Sequence, residues 1–256
     1  DPLSHFACMF AALIHDVDHP GVSNSQLVRE NHELAITFGT RGAMQQNALK
    51  FGWGLLMESR YDDLRKCLLG DDNNTTRSSF RQLLVSLVMA MDTDDEGSLA
   101  SQQERWEKAF PISTTPVTRV SFTGKIPKRS SRNIRAEIVE KGSLVLESVL
   151  QAGKVSHATQ HWLVYQKWNH RLLEEQRVAF EGGRRDTDPY VDWYGHELKF
   201  LDEVVIPLTK RLRDCDELVG AGEELLEYAK MNREEWSRRG AAVVKEWREK
   251  ANQDQQ

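Results

Sequence analysis

The stretch Ala12-Leu13-Ile14-His15-Asp16-Val17-Asp18-His19-Pro20-Gly21 concentrates two histidines and two aspartates where an apolar helical run stops. An imidazole nitrogen and a carboxylate oxygen on neighbouring residues both reach one divalent ion where the chain leaves helical geometry. A carboxylate can also bridge two metals while the adjacent imidazole serves only one. Pro20 and Gly21 are helix-stopping residues, expected to turn the backbone sharply and keep the ligands at a pocket rim. A polar cap with surface histidines is the plainer reading of one His-Asp pair. Two histidines, two aspartates and Pro-Gly together favour a metal site.

Such a site must be positioned, and the periodicity says by what. Leu83, Leu84, Leu87, Val88 and Met91 fall on one helical stripe, and Leu144, Val145, Val149 and Leu150 on another. The same spacing links Trp162, Tyr165, Trp168, Leu172 and Leu173, and then Phe200, Val204, Pro207, Leu208 and Leu212. Alternating aromatic and β-branched runs are scarce, so the expectation is an all-α domain of about ten helices. It should span residues 1–251, with a flexible basic loop at 111–132 rich in Ser, Thr, Pro and Gly, and a polar tail at 252–256. Trp53, Trp162 and Trp168 are expected in the core.

The 256 residues, 39% hydrophobic and 29% charged, describe a soluble globular chain long enough for a substantial core. Apolar runs such as Phe6 to Ile14 are too short to cross a bilayer, so no membrane segment is expected within the chain. A net charge of −5 gives no reason to expect nucleic acid as a partner. Cys8, Cys67 and Cys215 are odd in number and read as reduced core thiols, pointing to the cytoplasm or the cytosolic face of a membrane. The opening at Asp1, without Met or signal peptide, reads as the middle of a helix bundle, hence a fragment.

His15 to Asn24 resembles the metal-binding signature of class I 3′,5′-cyclic nucleotide phosphodiesterases, within the HD superfamily of metal-dependent phosphohydrolases. Met89-Ala90-Met91-Asp92 is similar to the family's Leu-Ala-Thr-Asp helix, and Trp168 to Glu175 to its Trp-x-x-Arg-x-x-x-Glu-Glu helix. Val155-Ser156-His157 resembles the end of its Ala-Asp-x-Ser-His/Asn segment, and Phe200-Leu201-Asp202 with Ile206-Pro207-Leu208 the segment closing the base pocket. The similarity runs from Asp1 to about Gly240. It implies a compact multi-helix bundle and hydrolysis of the 3′ ester of cAMP or cGMP by water held between two metals, zinc and magnesium (or manganese). The resemblance makes His15 a zinc ligand, Asp16 the bridging carboxylate, His19 a catalytic partner of metal-bound water and Asp92 a neighbour of the second metal. It also makes Phe200 the ring that stacks on the purine. It further implies a regulatory or membrane domain upstream, and leaves the oligomeric state open.

The sequence departs from the family at several places. The family's upstream His-Asn-x-x-His segment precedes the first residue here, and His5, a bland helical residue, does not replace it. The last zinc-ligand aspartate is matched by Lys154, a degenerate ligand position, because an ammonium has no lone pair to offer. His157 is the one neighbour that local rearrangement could bring to the metal. Glu-Asn-His-His becomes Gln46-Asn47-Ala48-Leu49, and Met91 stands for threonine. Glu197 stands where a glutamine reads the purine edge, and a carboxylate only accepts. The leading expectation is therefore a cyclic nucleotide phosphodiesterase. The alternatives are an impaired pseudo-phosphodiesterase that binds nucleotide or acts as a scaffold, and, more weakly, an HD phosphohydrolase for another phosphate ester.

Overall fold

The computed structural model describes residues 1–70, 74–93, 96–111, 131–215 and 218–254. Twelve α-helices and no strand occur among them, matching the all-α expectation. They are α1 (Pro2–Ile14), α2 (Asn24–Arg29), α3 (Glu33–Phe38), α4 (Ala43–Leu56), α5 (Asp62–Leu69), α6 (Asn74–Met89), α7 (Glu96–Ala109), α8 (Ser131–Lys154), α9 (Trp162–Glu181), α10 (Trp193–Phe200), α11 (Ile206–Arg213) and α12 (Val219–Asp254). Most of the expected basic loop lies outside the described residues, while Ser131 and Arg132 already belong to α8. Asn252 to Asp254, expected as tail, continue α12.

Local chemistry explains the ends that matter. Asp1 caps α1 by accepting the Ser4 N–H at 2.9 Å, with Pro2 at the first helical position, where its missing N–H costs nothing. Ser23 caps α2 through Gln26 N–H at 3.3 Å. Between them α1 stops at Ile14, six residues before Pro20, and the reversal is made at Asp18, a non-glycine residue at φ 60°. Gly21, at φ 75°, completes the turn.

The two largest of four apolar clusters hold most of these helices. One gathers Ala11, Ile14, Phe80, Leu84, Leu87 and Leu150 from α1, α6 and α8. The second gathers Tyr165, Leu173, Trp193, Leu201, Trp236 and Trp247 from α9 to α12. The α1–α4 crossing is tight, since a Cβ on Gly52 would lie 2.6 Å from Ile14 Cδ1. The end of α8 straddles the clusters: Leu150 faces the first, and Val155, just beyond the helix, faces the second.

The stripes are mostly confirmed. Trp168 is the correction: it is 48% exposed, and the Arg171 guanidinium lies 4.8 Å from its ring centroid. Tyr165 and Leu173 take the core positions of that helix instead. Val149 is also exposed. All three cysteines are free, but only Cys215 is buried and Cys67 is exposed, because short α5 buries only Leu69.

Candidate active site

His15 and Asp16 leave the end of α1 together, and they pair with each other. His15 Nε2 lies 3.0 Å from Asp16 Oδ2, and His15 Nδ1 lies 2.8 Å from the Ala12 carbonyl, which can only accept. Both ring nitrogens therefore face acceptors, and the geometry suits an imidazolium. The bond to Asp16 raises the His15 pKa above its ordinary 6.5, and the same bond holds Asp16 below the usual carboxylate range. Exposed His19 accepts the Gly21 N–H at Nδ1, at 3.1 Å.

The turn carrying these groups is braced from several helices. Asn47 of α4 donates to Asp18 Oδ2 at 3.1 Å. Arg184, in the loop after α9, donates to the Pro20 carbonyl at 2.9 Å and grips Glu30 beyond α2 through two bonds. Glu175 of α9 comes up beside Gly21. Asn24 ties three segments at once: its Nδ2 donates to Gln45 Oε1 and to Asp92 Oδ2, both at 2.9 Å, and its Oδ1 accepts the Met44 N–H. The spacing showed Asn24 only as the last letter of the motif, with no hint that Asp92 is its partner. Gln46 is structural as well, donating to the Phe38 and Arg41 carbonyls beside a cavity of about 580 Å³ between α4 and α6.

Lys154 ends α8 half-buried, and its Nζ donates to the Met91 carbonyl at 2.9 Å, next to Asp92. Its positive charge helps depress Asp16 and opposes protonation of His15. The ammonium therefore projects its field onto the two groups the sequence offers as metal ligands. Beyond it, His157 lies 6.2 Å from Phe200, centroid to centroid, with rings 9° from parallel. It is held there and does not join His15 and Asp16. Burial pushes the His157 pKa below its ordinary value, partly offset by the Glu197 charge. Glu197 itself is 1% exposed; one oxygen accepts the Tyr165 hydroxyl at 2.8 Å and the other lies 3.7 Å from His196 Nδ1. Burial and that carboxylate together push the Tyr165 pKa up.

The residues present do not fit a metal centre. Among the described residues no three His, Cys, Asp or Glu side chains gather in a ligand cluster. Asp16 Oδ2 already meets His15 Nε2 and the Ala12 carbonyl its Nδ1, so both ring nitrogens are engaged, and the Lys154 ammonium adds a repelling charge nearby.

The described helices form an all-helical bundle with a His-Asp pair at the end of α1 and with Glu197 and Phe200 on α10. The chain belongs to the 3′5′-cyclic nucleotide phosphodiesterase family, whose sequence pattern matches residues 1–220. Divalent metals are general in that family. It is 25% identical over 241 residues to the probable 3′,5′-cyclic-AMP phosphodiesterase pde-4 of Caenorhabditis elegans, covering 91% of this chain and 32% of that protein. It is also 25% identical over 244 residues to the mouse 3′,5′-cyclic-AMP phosphodiesterase 4C, with 91% and 32% covered. The chain thus spans about a third of the length of these relatives. The crystal structure of the phosphodiesterase domain of the RhoPDE fusion protein from the choanoflagellate Salpingoeca rosetta superposes with a TM-score of 0.69 at 18% identity, covering 97% of this chain and 71% of that one. That likeness shows the fold. No helix among the described residues is long and apolar enough to cross a membrane.

Proposed function

We propose that this chain acts within a cyclic nucleotide phosphodiesterase domain, taking a 3′,5′-cyclic nucleotide, cAMP or cGMP, and opening its 3′ ester to give the 5′-monophosphate. The reading is carried by the family match over residues 1–220. In it His15, Asp16, His19 and Asp92 lie at the phosphate end, while Phe200 and Glu197 meet the base. Phe200 offers a flat apolar face suited to any purine. The free thiols accord with a reducing, cytosolic setting.

A second reading, a nucleotide-binding or scaffold module with impaired hydrolysis, is favoured by one observation: Lys154 stands at a ligand position and bonds to Met91. Assaying cAMP and cGMP hydrolysis with added Zn²⁺ and Mg²⁺ separates the two. Turnover by the wild type supports the enzyme. Turnover only after Lys154→Asp supports the impaired module, and none in either protein defeats the first reading.

A further inference from the structure

We propose that Lys154 is a tethered cation that stands in for the family's metal, so that the end of α8 holds the phosphodiester of a cyclic nucleotide without any divalent ion. The inference rests on the reading that the chain takes a cyclic nucleotide, and it names how the anion is held.

Lys154 is half-buried, and the Met91 carbonyl takes one of its three N–H donors. Among the described residues no carboxylate lies within ion-pair distance of Nζ. The acids nearest in the fold are otherwise engaged. Asp16 is bonded to His15, and Asp92 accepts from Asn24. A partly desolvated ammonium with donors left over and, among the described residues, no carboxylate in ion-pair contact is a site for an anion. The backbone also joins it to the His157–Phe200 ring pair. The turn that follows Lys154 carries His157, whose ring lies parallel to Phe200 at 6.2 Å between centroids, with Glu197 close enough to act on it. Phosphate on Lys154 and purine against Phe200 would therefore be held by one short stretch of chain.

The test is calorimetric titration of the full chain with cAMP and with cGMP, first in EDTA and then with Zn²⁺ and Mg²⁺. The wild type should bind in EDTA, with an affinity that added ions change by less than about twofold. Lys154→Arg should keep binding. Lys154→Gln, which can still donate to Met91, should lose about tenfold or more, the worth of one charge-assisted hydrogen bond. Lys154→Asp should reverse the dependence and bind only with divalent ions. Wild-type binding that requires metal, stoichiometric zinc uptake by the wild type, or Lys154→Gln binding as the wild type does in EDTA would each overturn the proposal. The wild-type arm needs no variant, so a poorly folded Lys154→Gln leaves the test intact. Absence of binding by every form under every condition would instead remove the cyclic nucleotide reading on which the proposal stands.

Discussion

At the scale of single residues, the His15–Asp16 contact governs how the motif behaves. The His15 pKa is raised above 6.5, so the folded state binds its proton more tightly than the unfolded chain. The His15 part of the contribution is complete below pH 6.5 and fades as the pH rises through the folded value, while the Asp16 part is lost as the pH falls below 3.8. NMR titration should show His15 releasing its proton above 6.5, and Asp16→Asn should bring it down; a wild-type value at or below 6.5 counts against the pairing. Glu197 gives a second prediction. Buried and accepting from Tyr165, it can receive a base N–H but cannot donate to guanine O6. Glu197→Gln keeps an oxygen for Tyr165 and adds a donor, so the ratio of cGMP to cAMP affinity should rise about tenfold, the value of roughly one hydrogen bond. Competition binding measures it, and an unchanged ratio would show that Glu197 does not face the base. The residue types were legible: His15, Asp16 and Lys154 announce their chemistry by type and order. Their partners were not. Asn24 and Asp92 are 68 residues apart, and no periodicity joins a pair at that distance.

Elements bring the metal motif and its braces together through loops more than through helix faces. Arg184 is the clearest case, joining the Pro20 carbonyl to Glu30 across 164 and 154 residues of sequence. Its guanidinium holds the Glu30 carboxyl down to about 2 from 4.5. A depressed carboxylate stabilises the fold above its unfolded pKa and loses that contribution as the pH falls through its folded one. Arg184→Ala should therefore cost about 0.5–1 kcal/mol at pH 7, discounted because the pair is partly exposed to solvent. Urea unfolding of both proteins should show the gap closing between pH 4.5 and about 2. A gap that persists at pH 2 would assign the effect to the Pro20 bond alone. Helix stripes, by contrast, were readable because burial on a helix repeats every three to four residues. That rule failed at Trp168, where Arg171 covers the ring from the solvent side and an aromatic residue on an otherwise apolar stripe stays outside. The reversal at Asp18 was also hidden, since Pro20 and Gly21 carry the visible turn signal while a non-glycine residue takes the left-handed backbone.

For the molecule as a whole, the question is what locks two apolar clusters into one body with the site at their seam. Leu150 and Val155 anchor the end of α8 to opposite clusters, with Lys154 between them. Higher along the same helix, Glu147 is 2% exposed and collects groups from three other helices. Ser86 of α6 donates to it at 2.5 Å, and Arg105 of α7 reaches both its oxygens at 3.2 Å. Its charge also supports Arg211 of α11, which burial pushes toward its neutral form and whose Nε has no hydrogen-bond partner. One carboxylate thus serves α6, α7, α8 and α11. Removing one partner of a buried ion pair strands the other charge, at about 3–5 kcal/mol, far more than an exposed pair is worth. Glu147→Gln keeps the volume and a hydrogen-bond acceptor but removes the charge, so it should destabilise the fold by about 3–5 kcal/mol. Arg105→Ala leaves the buried Glu147 carboxylate without its ion-pair partner, so it should also cost about 3–5 kcal/mol. Urea midpoints of the two variants give the comparison directly. Equal losses would mean that Arg105 alone balances Glu147. A larger loss for Glu147→Gln would place the difference on Arg211, and so on the contact of α8 with α11 that ties the first cluster to the second.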